Sequence, residues 1–147
     1  MMHAYFEAKS TFVKSFLTAL FVSIFAALAC LAYDMIYRDV TGYSLSAIVN
    51  VSSIIFGSLI IVTLMGILYY AFVQIFGKVA SALYIAIAAL LTILCAWKSE
   101  YVVRSCIPLE TTQFRGLLIG IVLLLGVSAT FVIPYLYSNK GFLKNVI

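Results

Sequence analysis

Residues 40–77 read VTGYSLSAIVNVSSIIFGSLIIVTLMGILYYAFVQIFG, without one Asp, Glu, Lys or Arg. The hydrocarbon core of a bilayer accepts an apolar helix of about 20 residues and penalises a charge placed within it. This run is too long for one such helix. Its first part is polar, with Thr41, Gly42, Ser44, Ser46, Asn50, Ser52 and Ser53, and its second part is almost wholly apolar. Residues 44–49 are therefore expected to lie on the membrane surface, with Asn50 or Ser52 capping a spanning helix over about 53–76. Reading the run as two short spans gives five in all and inverts everything downstream, but it sets the polar residues 50–53 at an odd depth.

Three more uncharged runs flank this one, at 15–33, 79–97 and 116–139. All nine Lys/Arg and all five Asp/Glu fall between or outside the four. The expected fold is an all-α membrane protein, a four-transmembrane-helix antiparallel bundle with a short N-terminal interfacial helix. Its spans are placed at about 15–33, 53–76, 79–97 and 116–137, and residues 1–147 form one integral membrane domain with no room for a soluble one. The interfacial segment rests on Tyr5, Ala8, Phe12 and Phe16, which share a helical face. A plain helical start to the first span is the alternative. The sequence Ala27-Leu28-Ala29-Cys30 resembles a processing site, but the apolar run continues through Tyr33, so this segment is read as a retained span.

Local signals set the connections. Helix 1 is expected to run on to about Asp39 and to break at Thr41-Gly42, and Gly77-Lys78 makes a tight turn. On helix 3, Ala82, Ala86 and Ala89 form a smooth stripe suited to close helix approach. Pro108 is expected to stop any helix, and Thr111 or Thr112 to cap the last one. Gly116 and Gly120 form a GxxxG, which Gly126, Thr130 and Pro134 continue at four-residue steps. Packing inside the bundle is favoured over a dimer face.

Charge sets the orientation. With four spans, one side holds Lys9, Lys14, Lys78, Lys140 and Lys144 against Glu7. The other holds Arg38, Lys98, Arg104 and Arg115 against Asp34, Asp39, Glu100 and Glu110. Basic residues gather on the cytoplasmic side. Both termini are expected in the cytoplasm, and the membrane is expected to be the inner membrane of a bacterium. The net charge of +4 is dispersed singly, so no nucleic-acid partner is implied.

The residue types exclude several chemistries. His3 is the only histidine and lies outside the spans, so a bis-histidine haem site is excluded. The spans carry no ionisable Asp, Glu, Lys or Arg for a proton relay or an ion-coupled exporter. Cys30, Cys95 and Cys106 form neither a CxxC nor a metal-ligand spacing, and are read as packing residues, with a bridge through Cys106 as the alternative in an oxidising compartment. The span polar groups Ser23, Ser58, Thr63, Gln74, Ser81, Thr92, Ser128 and Thr130 are expected to bond to a preceding helix turn or across the bundle. No enzyme, cofactor or metal is expected.

One constellation stands out. Asp34, Arg38 and Asp39 end helix 1, while Glu100, Arg104, Glu110 and Arg115 lie in the other loop on that face. Together they form a candidate polar cap rimmed by Tyr33, Tyr37, Tyr43 and Tyr101, set against the plainer reading of intrahelical ion pairs at the water interface. The expected function is that of an accessory or structural membrane subunit acting through helix packing or outer-loop contacts, with the lipid bilayer, a membrane-protein partner or a homo-oligomer as its contacts. The alternative is a small homo-oligomeric transporter or channel, for which Thr63 and Gln74 are the best lining residues.

Overall fold

The computed structural model describes residues 1–43, 49–103 and 106–146, without the side chains of residues 4–9 and 146. The described chain is all helical, with no strand among these residues. It comprises α1 (Met2–Thr41), α2 (Val51–Phe76), α3 (Ala80–Ser99), α4 (Pro108–Val127), α5 (Ile133–Ser138) and α6 (Lys140–Val146). A 3-10 turn, Gly77–Val79, joins α2 to α3, and a π-helical turn, Ser128–Val132, joins α4 to α5. Three stretches are long and apolar enough to cross a membrane: Ser10–Thr41, Val51–Ser99 and Pro108–Ser138.

Helix α1 is continuous from Met2, so the separate interfacial helix expected at the N-terminus is not a distinct element. Nothing between residues 2 and 14 breaks it: this stretch has no glycine and no proline. The helix ends where expected. Gly42 takes a left-handed conformation, φ 66°, and its N–H reaches back to the Arg38 carbonyl at 2.8 Å. A β-carbon would oppose that geometry. The surface segment expected at 44–49 lies, but for Val49, outside the described residues.

Asn50 caps α2. Its side chain accepts from the Ser53 N–H at 2.9 Å, and the Ser53 hydroxyl oxygen accepts from the Asn50 N–H at 2.9 Å, a reciprocal capping box. The next break falls at Gly77, φ 55°. Across it the Tyr69 ring of α2 and the Tyr84 ring of α3 meet edge to face, 5.0 Å apart.

Two expectations need correction. The buried face of α3 is Ala80, Tyr84 and Ala88, whereas Ala82 and Ala86 are exposed. A large buried tyrosine sets which side turns inward, and of the small stripe only Ala89 is half-buried. Pro108 does not stop a helix; it opens α4 at its first position, where the missing N–H is no loss. Neither threonine caps this end: Thr112 donates to the Pro108 carbonyl at 2.9 Å, and Thr111 is buried in the second turn.

Helix α1 is the most enclosed of the apolar stretches. Along α1, Ser15 donates across to the Gly66 carbonyl of α2 at 2.9 Å, and the Ala19 methyl lies against Gly66. The Tyr33 and Tyr37 hydroxyls reach α4. Helix α3 meets α4 where Thr92 packs on Gly126, and Tyr84 reaches Ala129 in the π-helical turn that follows. Short α6, capped by Asn139, returns to set Phe142 5.0 Å from Phe21.

Candidate functional site

The last turns of α1 carry the charged candidates. Four residues apart on one helix face, Asp34 and Arg38 form an ion pair, Arg38 Nε to Asp34 Oδ1 at 2.8 Å. Arg38 Nη2 donates to the Val49 carbonyl at 3.0 Å, and the guanidinium carbon lies 5.8 Å from the Tyr43 ring centroid. The pair is not the water-exposed one expected from the sequence. The side chains keep only 14% (Arg38) and 5% (Asp34) of their exposure, so each charge depends on the other. One donor is left over: Arg38 Nη1 is buried and has no acceptor among the described residues.

Asp39, Glu100 and Glu110 are exposed, and Asp34–Arg38 is the one ion pair formed between described side chains. Arg115 turns to main chain instead, Nε donating to the Val102 carbonyl at 2.7 Å, which ties the α3–α4 connection to α4. Arg104 lies outside the described residues. Of the tyrosine rim, Tyr43 stays with Arg38, but Tyr101 is exposed and its hydroxyl oxygen accepts from Trp97 Nε1 at 3.2 Å.

Tyr33 and Tyr37 turn inward. Their hydroxyls donate to the Gly116 carbonyl at 3.1 Å and the Gln113 carbonyl at 2.7 Å. Gln113 Nε2 returns the link by donating to the Thr41 carbonyl at 3.1 Å. The GxxxG of α4 makes this approach feasible: a β-carbon at Gly116 would sit 2.5 Å from the Tyr37 hydroxyl, and one at Gly120 would collide with the phenol end of Tyr33. The motif is thus filled from within the chain, in line with the packing reading.

A second polar cluster was not foreseen. Tyr69 and Tyr84 are both about 1% exposed, and Tyr137 stacks edge-on to Tyr69 at 5.2 Å. The Tyr69 hydroxyl shares a 2.9 Å hydrogen bond with the Ser81 hydroxyl, and the Tyr84 hydroxyl donates to the Ala129 carbonyl at 2.7 Å. That carbonyl lies in the π-helical turn. Pro134 explains the turn: it has no N–H for the Thr130 carbonyl four residues earlier, and its ring crowds that group, so the helix widens just before it. Pro134 was the available signal, as the end of the small-residue series.

Other span hydroxyls are used internally. Thr18, Ser58, Thr92 and Ser128 donate to the carbonyls of Lys14, Ile54, Ala88 and Leu124, each four residues back, at 2.6–2.8 Å. Ser23 donates to the Leu20 carbonyl at 2.7 Å. Thr63 is half-buried and Gln74 exposed. The three cysteines are unpaired, Cys30 buried, Cys95 and Cys106 exposed. No group of three His, Cys, Asp or Glu comes together among the described residues. Comparison with protein-family models, curated proteins and solved structures finds no match to this chain.

Proposed function

We propose that this chain is a small multi-pass membrane protein that works as an accessory or structural subunit, through helix packing and contacts of its outer loops with a partner or lipid. In this reading it crosses the membrane four times as an antiparallel bundle. The middle apolar stretch, 49 residues, supplies two crossings. As one straight helix it would extend roughly 70 Å, against a hydrocarbon core of about 30 Å. The 5.0 Å contact of Tyr69 with Tyr84 supports a fold-back at Gly77. Contacts from early α1 to late α2, from late α1 to early α4, and from early α3 to the π-helical turn after α4 support antiparallel neighbours. The lysines at 9, 14, 78, 140 and 144 then share one side, which the positive-inside rule makes cytoplasmic, in a bacterial inner membrane.

The observation that carries the accessory role is where the span hydroxyls go. Ser15, Thr18, Ser23, Ser58, Thr92 and Ser128 all donate to main-chain carbonyls, and Ser81 to or from Tyr69. Ser15 and Ser81 bond between helices and the others bond to the preceding turn of their own helix, so these groups are not left to line a path for a solute. Outside, α3 turns Leu83, Ile87, Leu90, Leu91 and Leu94 away from the chain, a face for lipid or a neighbouring helix.

The test is the native mass of the protein extracted in mild detergent, with co-purifying chains identified. A stable complex with another membrane protein is the expected result. A homogeneous homo-oligomer without a partner would overturn the accessory reading in favour of a pore or carrier. Orientation is checked on Cys106: a membrane-impermeant maleimide added to intact cells should label it, and should not label single cysteines placed at Lys78 or Lys140.

A further inference from the structure

An open groove of about 550 Å³ runs between α3 and the end of the last apolar stretch. Among the described residues its walls come from two elements. Ser81 and Ile85 line it on α3, and Phe131, Val132, Tyr135 and Ser138 line it on the π-helical turn and α5. The walls run antiparallel, as the Tyr84 bond to Ala129 fixes, and both grade from polar to apolar in the same direction. Ser81 lies in the first turn of α3 and Ser138 ends α5, while Ile85, Phe131 and Val132 lie further in. From Ser138 back to Phe131 the groove descends roughly 10 Å at the usual helical rise. Two exposed lysines flank its polar end. Lys78 precedes Ser81 by three residues and Lys140 follows Ser138 by two, and neither forms an ion pair with a described side chain. The serine hydroxyls are engaged at 2.9 Å each, Ser81 with Tyr69 and Ser138 with the Pro134 carbonyl, so charge recognition falls to the lysines.

We propose that this groove holds an anionic phospholipid of the bilayer, with its phosphate between Lys78 and Lys140 and the upper part of one acyl chain along Ile85, Phe131 and Val132. Charge decides the headgroup. Two ammonium groups with no carboxylate opposite them attract a lipid of net negative charge, and a zwitterionic headgroup brings a cation of its own that they repel. Lysine suits the position, because its methylene stem can lie on the apolar wall while the ammonium stays at headgroup level. Exposed Tyr135 at the rim has the amphipathic ring typical of that depth. Glu7 is the one acidic residue on this side of the chain in the four-span reading, so little offsets the attraction. The inference rests on that reading, which puts residues 78 and 140 at the same interface.

The experiment is native mass spectrometry of the full chain in mild detergent, titrated separately with dioleoyl phosphatidylglycerol and dioleoyl phosphatidylcholine. One glycerol lipid should be retained with a preference of about tenfold over the choline lipid. Lys78→Gln/Lys140→Gln, both at exposed positions, should keep the fold and bring the two lipids to within about twofold of each other. Lys14→Gln/Lys98→Gln removes the same charge from exposed sites away from the groove and should leave the preference in place. Ile85→Trp fills the apolar wall and should weaken retention of both lipids. Equal retention by the wild-type chain would overturn the proposal, as would an equal loss of preference in the two lysine pairs, which would reduce the effect to overall charge. Displacement of the lipid by soluble glycerol phosphate would also overturn it, since the acyl chain would then contribute nothing. Labelling of single cysteines at 78 and 140 separates the two failures. If both label from one side and no lipid preference is found, this inference alone fails. If they label from opposite sides, the four-span reading fails with it.

Discussion

Tyr33 and Tyr37 meet α4 where it is a regular helix; Tyr84 meets the same apolar stretch where it is not. In both places a tyrosine hydroxyl donates to a carbonyl of the main chain, and in both the carbonyl needs a reason to be reachable. At the first cluster glycine supplies it. With no side chains at 116 and 120, the phenol rings lie on the helix backbone, and each carbonyl can use its second lone pair while its helical bond stays intact. At the second cluster Pro134 supplies it, by widening the turn that holds Ala129. The first device preserves helix geometry and demands a close fit. The second alters the geometry and leaves Tyr84 to stabilise it. The clusters differ in charge as well: the buried Asp34–Arg38 pair stands beside the first, and the second is neutral.

That contrast orders the expected effects of substitution. The largest belongs to the ion pair. Arg38→Gln leaves the Asp34 carboxylate buried without a counter-charge and should cost about 3–5 kcal/mol. Asp34→Asn/Arg38→Gln removes both charges and should recover most of that loss. Thermal unfolding in detergent, followed by helix signal, checks both. If the double variant is no better than Arg38→Gln, the pair is not what holds this cluster.

Gly120→Ala comes next. Its methyl would collide with the phenol end of Tyr33, so the ring must leave or α4 must move. A loss of about 1–3 kcal/mol is expected, the usual scale of overpacking. Adding Tyr33→Ala should return part of it, since the obstacle is then gone. At the other cluster Tyr84→Phe removes one buried hydroxyl donor, at about 1 kcal/mol. Its partner is the π turn, so Pro134→Ala should change that cost. With an N–H restored at 134 the helix can regularise, and Tyr84→Phe should then matter less. Equal costs in both backgrounds would show that Tyr84 does not depend on the widened turn.

Much of this arrangement was legible in the sequence, for identifiable reasons. Long uncharged runs mark apolar helices because charge is expensive in a bilayer, and Asn50, Gly42 and Gly77 mark ends because capping and left-handed geometry are local requirements. Local rules also misplace things. Pro108 opens a helix or stops one according to which side the chain continues on, and the residues around it do not decide that. Ala82 and Ala86 form a small-residue stripe, but the inward face of α3 is set by what Tyr84 meets on α2 and α4, which is tertiary information. Within the candidate cap, spacing along one helix and reach between loops are different kinds of information. Asp34 and Arg38 are joined by helix spacing alone, whereas any link from α1 to Glu100 or Glu110 would have required two connections to fold over the same spot.

The glycines of α2 give the smallest and sharpest test of what sequence leaves open. Gly57 and Gly66 stand in one apolar helix with similar neighbours, and nothing in the residue pattern tells them apart. In the structure they are opposites. A methyl on Gly66 would collide with the Ala19 methyl, where α1 lies directly against α2 and Ser15 donates to the Gly66 carbonyl. A methyl on Gly57 would meet nothing within 4 Å, because Gly57 lines a cleft of about 240 Å³ between α2 and α4. Gly57→Ala should therefore stabilise the chain by about 0.5–1 kcal/mol, the backbone entropy glycine forfeits in a helix. Gly66→Ala gains the same entropy but must push α1 away, so its net effect should be destabilising. The two substitutions make the same chemical change in the same helix, so opposite signs in the unfolding measurement can come only from the packing of α1. A matching gain at both positions would show that α1 and α2 do not approach as closely at Ala19 as the structure places them.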